Sequence, residues 1–333
     1  MAALGLAAAV LIVSVDTLPA FAADPPTTTA EQLLIQRVPD GRVTDGTTSV
    51  TTTNLGTLVV VGNNDAYLTK TRTSGTGSGW TNFIHVDQFN TTSANTTYYT
   101  ATLGGAPANL GHANGMTYYP TAGADPLEVG AFYVAMLKSV GSYQVAQINE
   151  LGQVTAQFKA RKGTVQKEIA SIAHVSGNNW ILGTGSENIT DPNDPNQILK
   201  PYYAATLVGE YFELGNKFYV PTSTTYNIGQ DIYYDATLDQ LSVPVWDGQN
   251  QVGTATGRKN RVIVVELGTI VDGHVYSPVR WIDLEVPATS ASQFELEGIT
   301  RDANGKLLVS ANVVKPDGTP ADSIYKLVGI STS

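Results

Sequence analysis

Seven polar side chains have types that suit ligand binding, and each stands just before or within the start of an apolar run. They are one histidine, two amides and four carboxylates: His112, Asn114, Glu168, Gln230, Asp231, Glu295 and Glu297. Gathered in one pocket, such oxygen-rich donors would suit a hard cation, Ca²⁺ or Mg²⁺, although no cofactor is otherwise required. They would equally hydrogen-bond sugar hydroxyls. Two carboxylates about 5–10 Å apart would suit hydrolysis of a glycosidic bond.

A recurring unit is what would bring these distant residues together. Its aligned apolar positions are Val50, Met116, Ile172, Ile232 and Ile299, at spacings of 66, 56, 60 and 67 residues. Each is followed by a turn rich in Gly, Asn or Asp and then by a second apolar strand. The spacing is too long for a β-solenoid, and a β-sandwich would not repeat one hairpin five times. We therefore predict an all-β chain folded as a β-propeller, with five four-stranded blades packed face to face.

The inner strands of a propeller converge on its axis, so the residues before the aligned positions should line a shared central channel. Thr48 or Asp45 would complete this ring from the first blade. A plainer interpretation also stands: polar channel residues often only bind water or close hydrogen bonds between blades. Tyrosine doublets such as Tyr118-Tyr119 should place one ring in the core and the other outward or in the channel, because neighbouring strand residues face opposite sides.

Composition limits the classes of partner. The chain has 333 residues, a net charge of −10 and no cysteine. An acidic surface repels phosphate backbones, so nucleic acid is an unsuitable partner. The absence of cysteine excludes disulfides, thiolate metal sites and a cysteine nucleophile. No His-Glu-x-x-His zinc motif or Gly-x-Ser-x-Gly nucleophile motif occurs.

The N-terminus resembles an export signal. An apolar run too short to span a membrane precedes Ala20-Phe21-Ala22, a small-x-small cleavage pattern, although no Lys or Arg precedes that run. We predict a signal peptide over residues 1–22, a flexible segment over 23–31 and the propeller over 32–333. The protein would then be secreted and extracellular with no membrane span after processing; an uncleaved anchor is the alternative. Leu33-Leu34-Ile35 should supply an early strand that closes the ring with the last blade.

Three short segments resemble the helveticin J-like proteins, a family of secreted bacteriocins and their relatives. They are Gly111–Tyr119, with its His-x-Asn-x-Met-x-Tyr pattern, Phe294–Ile299 and Asp322–Lys326. The resemblance implies secretion, a propeller fold and killing of related bacteria through the cell envelope. It supplies no catalytic residues.

These observations favour a secreted binding protein over an enzyme. Its partner would be a cell-surface glycan or another envelope component, recognised through the central channel. The first alternative is a secreted glycoside hydrolase or lyase that uses the channel carboxylates. The second is a surface protein that assembles with itself. The sequence leaves the oligomeric state and the ligand open.

The cleavage site is directly testable. The small-x-small pattern predicts that the exported protein begins at Ala23 or Asp24. N-terminal sequencing or intact mass of the protein recovered from culture medium measures this start. Recovery of the chain with residues 1–22 attached, in a membrane fraction, would contradict the prediction and favour the anchor.

Overall fold

The protein is described by a computed structural model that covers residues 26–120, 131–137, 143–185, 187–247, 258–286 and 291–330. Every regular element in these ranges is a strand, which confirms the all-β prediction. They contain no helix of the length and apolarity that a membrane crossing needs. The predicted signal peptide, residues 1–22, lies outside the described residues.

Most strands belong to five four-stranded units, named sheets 1 to 5 in chain order. Four strands precede sheet 1: β1 (Thr27–Thr29), β2 (Glu31–Arg37), β3 (Gly41–Asp45) and β4 (Thr48–Thr52). Sheet 1 contains β5 (Asn54–Val61), β6 (Asp65–Thr71), β7 (Thr81–Asp87) and β8 (Asn95–Thr100). A short hairpin follows, made of β9 (Thr102–Leu103) and β10 (Ala106–Pro107). Sheet 2 contains β11 (Gly115–Tyr119), β12 (Ala131–Ala135), β13 (Val145–Ile148) and β14 (Val154–Lys162).

The second half of the chain continues the pattern. After β15 (Val165–Gln166), sheet 3 contains β16 (Ile169–Ser176) and β17 (Asn179–Thr184), then β19 (Asp194–Val208) and β20 (Tyr211–Ser223), with β18 (Ile189–Asp191) paired to β19. After β21 (Tyr226–Ile228), sheet 4 contains β22 (Tyr233–Asp235), β23 (Gln240–Asp247), β24 (Arg258–Glu266) and β25 (Pro278–Val286). Sheet 5 contains β26 (Gln293–Arg301), β27 (Leu307–Val314) and β28 (Ser323–Val328), and β2 is its fourth strand.

Within each sheet, successive strands pair antiparallel through short turns. Glycines with positive φ occupy several of these turns, as at Gly177 and Gly305, because a side chain is strained in that conformation. Sheets 2 and 3 are also joined at their outer edges, where β14 pairs parallel with β20. Their eight strands form one path that nearly closes on itself, because β11 packs against β16.

The two N-terminal strands pair with the last two sheets. Strand β2 pairs antiparallel with β28, which confirms the predicted closing strand at Leu33-Leu34-Ile35. Strand β1 pairs parallel with β25 at the edge of sheet 4. Thr27–Thr29 therefore belong to a sheet, whereas the sequence predicted a flexible segment there. Between the two strands, Ala30 is buried, and its N–H donates to the Asp283 carbonyl at 2.9 Å.

Five hydrophobic clusters lie between consecutive sheets in a cyclic order. They join sheets 1 and 2, 2 and 3, 3 and 4, 4 and 5, and 5 and 1. The two rings of Tyr118-Tyr119 pack into two different clusters, as do those of Tyr202-Tyr203. Both rings of a doublet thus support interfaces between sheets, one on each face. The prediction that one ring of each doublet points outward or into the channel is therefore wrong. Each sheet is buried on both faces.

The first repeat differs from its prediction. Val50 lies on β4, which pairs only with β3 in a separate two-stranded hairpin. The first strand of sheet 1 is β5 instead, and it packs against β11 and β26. Asp45 and Thr48 close the β3–β4 turn, so they do not complete a ring with the other site residues.

The first strands approach one another closely, and glycines permit this. A Cβ atom at Gly298 on β26 would lie 2.4 Å from the Leu58 nitrogen and 2.7 Å from the Thr57 carbonyl carbon of β5. A Cβ atom at Gly115 on β11 would lie 2.8 Å from the Ser171 Cα of β16. These neighbours are backbone atoms, which cannot turn aside as a side chain would.

Gly298→Ala should therefore lower the free energy of unfolding by about 1–3 kcal/mol, because sheets 1 and 5 must separate to admit the methyl group. Urea unfolding of the purified protein measures this change. Gly215→Ala is the matched control, because the nearest atom to its added Cβ would be a carbonyl oxygen at 3.2 Å. Equal stability of the two variants would show that sheets 1 and 5 are not held this closely.

Candidate functional site

Asp231 lies where the first strands of four sheets approach one another. It precedes β22 of sheet 4 and is 1% exposed. The Thr57 hydroxyl of sheet 1 donates to its Oδ2 at 2.9 Å, and the Ile232 N–H donates to its Oδ1 at 2.9 Å. The backbone N–H groups of Met116 in sheet 2 and Ile299 in sheet 5 also donate to it. One carboxyl group thus connects strands of four sheets.

Burial dominates the electrostatics of this carboxyl group. Removal from water raises the pKa of Asp231 well above its usual range, while the four donated hydrogen bonds act in the opposite direction. Its hydrogen-bonding capacity is used within the protein. The role that this arrangement supports is structural, since a dissolved ligand does not reach the side chain in this structure.

Glu297 forms a second buried acidic position, on the face of sheet 5 that meets sheet 1. It is 0% exposed, and its Oε1 accepts a hydrogen bond from Asn312 Nδ2 at 2.6 Å. Its Oε2 has no hydrogen-bond partner among the described residues. Burial raises the pKa of Glu297 well above its usual range, and the nearby carboxylates Glu295, Asp322 and Asp231 raise it further.

Asn312 links Glu297 to the neighbouring sheet. Its Oδ1 accepts from the Leu55 N–H of β5 at 2.8 Å, and its Nδ2 lies 3.2 Å from the Leu55 carbonyl oxygen. A glutamate, an asparagine and the backbone of β5 therefore form one buried polar contact between sheets 5 and 1. A hydrogen-bonded contact fits here because unpaired backbone groups at this depth would be costly.

The same interface contains a buried lysine. Lys70 on β6 is 1% exposed, and its Nζ lies 2.7 Å from Asp40 Oδ1 and 2.9 Å from Asp322 Oδ2. The Val38 carbonyl accepts from it at 3.1 Å. Burial raises the pKa of Asp322, and the Lys70 ammonium opposes that rise. Lys70 borders a cavity of about 450 Å³ that is also lined by Arg37 and Lys315.

The structure brings three of the seven predicted site residues near one another: Glu295 and Asp231 both raise the pKa of Glu297 through their charge. Glu295 is half-buried, and burial raises its pKa. Glu168 is exposed before β16, outside this buried group. Among all described residues, no three His, Asp or Glu side chains converge so as to hold a metal ion.

The remaining three predicted residues lie at the starts of sheets 2 and 4. His112 is half-buried, and its N–H donates to the Met136 carbonyl at 2.9 Å. Asn114 is buried, and its Oδ1 has no hydrogen-bond partner among the residues described. Gln230 is half-buried beside Gly229, where an added Cβ would lie 3.2 Å from Lys200 Cε. Burial lowers the pKa of that lysine to about 8.

Sequence reasoning missed Thr57, Lys70, Asn312 and Lys200. The first repeat was aligned on Val50, which lies outside sheet 1. The alignment therefore did not mark Thr57 or Lys70, which lie on the strands of sheet 1. Asn312 lies inside an apolar strand, LLVSANVV. An amide in such a run is a usable signal, because a buried polar group must find a partner.

A wider cleft lies between sheets 4 and 5, where β22 and β26 end. This is the opposite end of those strands from the predicted site residues. The cleft encloses about 720 Å³. Sheets 4 and 5 both contribute polar and apolar residues. The polar ones are Asp235, Gln240, Glu266, Arg280, Arg301, Asn304, Lys306 and Lys326, and the apolar ones include Leu238, Val264, Val279, Ile282, Leu307, Leu327, Val328 and Ile330.

Ion pairs form part of the cleft wall. Arg301 Nε lies 3.0 Å from Asp235 Oδ2, which joins sheet 5 to sheet 4. Lys326 Nζ lies 2.8 Å from Asp302 Oδ2 behind the wall. The ammonium of exposed Lys306 has no hydrogen bond or ion pair among the described residues; its backbone N–H donates to the Asp302 carboxylate, and its carbonyl accepts from the Asp302 N–H. The cleft thus combines fixed charges with an exposed cation and exposed apolar side chains.

Comparisons with known proteins add little to this geometry. No family model matches the chain, and no curated protein matches it. The chain is similar to the solved PQQ-bound aldose sugar dehydrogenase from Streptomyces coelicolor, at 11% identity and a TM-score of 0.37. The similarity covers 91% of this chain and 99% of that chain. At this identity and score it supports no argument about fold or activity.

The raised pKa of Glu297 generates a prediction about pH. The folded state holds this proton more tightly than the unfolded chain, whose glutamate has the ordinary value of 4.5. The resulting stability is present at pH 4.5 and below, and it is lost as pH rises through the folded pKa. Glu297→Gln stays neutral and keeps the acceptor for Asn312. Its free energy of unfolding should therefore rise relative to that of the unmodified protein as pH increases from 4.5.

Urea unfolding at a series of pH values from 4.5 to 8 measures this difference. Glu213→Gln is the control, because the Arg161 guanidinium lowers the pKa of Glu213. Well above pH 4.5 that carboxylate is ionised in both the folded and the unfolded chain, so the stability difference of this variant should stay nearly constant as pH rises. A Glu297→Gln difference that stays flat over the whole range would mean that Glu297 is ionised in the folded protein.

Proposed function

We propose that the five sheets are the blades of a five-bladed β-propeller and that the protein is a secreted binding protein for an extracellular saccharide. The cyclic order of the five hydrophobic clusters supports the blade count, as does the contact of β5 with both β11 and β26. Strand β2, which comes from the opposite end of the chain, completes the last blade. We infer secretion from the signal peptide that the sequence predicts over residues 1–22.

The cleft between sheets 4 and 5 is the observation that carries the binding proposal. Its volume of about 720 Å³ lies within the roughly 300–1,000 Å³ that is typical of small-molecule sites. Amide groups of Gln240 and Asn304 can pair with sugar hydroxyls, while exposed Leu238 and Val279 offer surfaces for the apolar faces of a sugar ring. The predicted axial site is less suitable, because Asn114, Asp231 and Glu297 are buried.

A binding role fits this chemistry better than hydrolysis. The glycoside hydrolase alternative needs two accessible carboxylates, and two of the axial carboxylates, Asp231 and Glu297, are buried. Within the cleft, Asp235 is held in an ion pair with Arg301. The bacteriocin activity that the helveticin J-like resemblance implies stays a prediction.

Blocking the cleft tests the proposal. Val279 on β25 is 38% exposed within the cleft, and Val279→Trp would obstruct part of the cleft without changing a buried residue. Affinity for saccharides identified in a glycan binding screen should fall about tenfold or more, which corresponds to about 1.4 kcal/mol. Isothermal titration calorimetry measures that affinity.

Val208→Trp is the matched control for this experiment. It makes the same substitution at a strand position that is 57% exposed and lies outside the cleft. It should leave affinity unchanged. Binding of no saccharide by the unmodified protein, or equal binding by both variants, would refute the proposed function.

A further inference from the structure

The charge on the cleft between sheets 4 and 5 contrasts with the charge on the rest of the chain. The net charge of the protein is −10. The cleft is lined by four cationic side chains, Arg280, Arg301, Lys306 and Lys326, and by two carboxylates, Asp235 and Glu266, while a third carboxylate, Asp302, pairs with Lys326 from outside the lining. It is therefore a locally positive recess on an acidic protein. Such a recess concentrates anions because its low-dielectric walls focus the field.

The cations of the recess differ in how firmly they are held. Arg301 is fixed by Asp235 and also donates to the Gly305 carbonyl at 2.7 Å, so its guanidinium is oriented before any ligand arrives. Lys326 is anchored by Asp302. Lys306 stands exposed on the same turn, with no internal partner for its ammonium among the described residues. This ammonium is available to a ligand and needs no existing ion pair to break.

We infer that the ligand of this cleft is an acidic saccharide, a sugar chain that carries carboxylate or phosphate groups. This inference rests on the proposed function and narrows its ligand class. The anionic group would pair with the Lys306 ammonium, while Leu238 and Val279 would contact the apolar C–H faces of the sugar rings. A fatty acid would fit less well, because eight of the residues that line the cleft are charged or carry an amide group.

Three oligosaccharide probes of similar length separate the possibilities. They are an oligogalacturonate, which carries carboxylates; a glycosylated glycerol phosphate oligomer, which carries phosphates; and a neutral oligogalactoside. Calorimetric titrations at 50 and 300 mM NaCl should show tighter binding of at least one acidic probe, with affinity that falls at the higher salt concentration. The acidic probe that binds more tightly identifies the charged group.

A charge reversal locates the contact. Lys306→Glu should weaken binding of the acidic probe by about fivefold or more, because a like charge then faces the anion. Lys315→Glu is the matched control: it makes the same change of charge at an exposed turn of sheet 5, beside the other cavity. It should change the affinity less than twofold.

The outcomes distinguish the inference from the function on which it rests. If the neutral probe binds as tightly as both acidic ones, or if the two charge reversals weaken binding equally, the acidic-ligand inference is overturned while a saccharide-binding cleft remains. If none of the three probes binds, the glycan screen yields no ligand and Val279→Trp has no effect, the proposed function fails as well.

Discussion

The buried Asp231 carboxyl group is the point on which the arrangement of sheets depends. It accepts hydrogen bonds from Thr57, Met116, Ile232 and Ile299, which belong to four different sheets. A carboxyl group at this depth is tolerated only while its donors are in place. The first strands must therefore stay close together, and Gly115 and Gly298 provide the space for that approach. The polar centre holds the ring together and leaves little room there for a ligand.

The contact between sheets 5 and 1 differs from a purely apolar interface. Between sheets 2 and 3, aromatic rings dominate: Trp180 contacts Tyr119, Tyr133 and Phe212 with centroid distances of 5.8, 4.6 and 5.4 Å. Between sheets 5 and 1, an apolar cluster is joined by Glu297, Asn312 and the pairing of Lys70 with Asp322. The first and last sheets are far apart in sequence. Directional polar contacts add geometric specificity to their association, which apolar packing alone provides less well.

The close approach of the first strands affects the spacing of the outer strands. Sheets that meet at their first strands separate toward their outer strands, and the space between sheets 4 and 5 remains open near the turns. Strand β1 is attached to sheet 4 and β2 to sheet 5, and Ala30 between them lies in the apolar cluster that these two sheets share. The cleft is bounded by the same two sheets, and the Arg301–Asp235 ion pair connects them. A ligand that binds there meets side chains that are already oriented.

Much of the fold was determined by local sequence. Strand-forming residues, glycine turns and four of the five aligned repeats located the first strands of sheets 2 to 5, and the apolar run at Leu33 located the closing strand. The first repeat was misplaced because β4 has the same local pattern as the first strands of sheets 2 to 5 but pairs only with β3. The site was harder to predict. Polar residue type marked Asp231 and Glu297, but burial and partners from other sheets make them structural. The roles of Lys70 and Asn312, and the positive cleft, depend on contacts between residues far apart in the chain. Such contacts produce no local pattern in the sequence, so they could not be predicted from it.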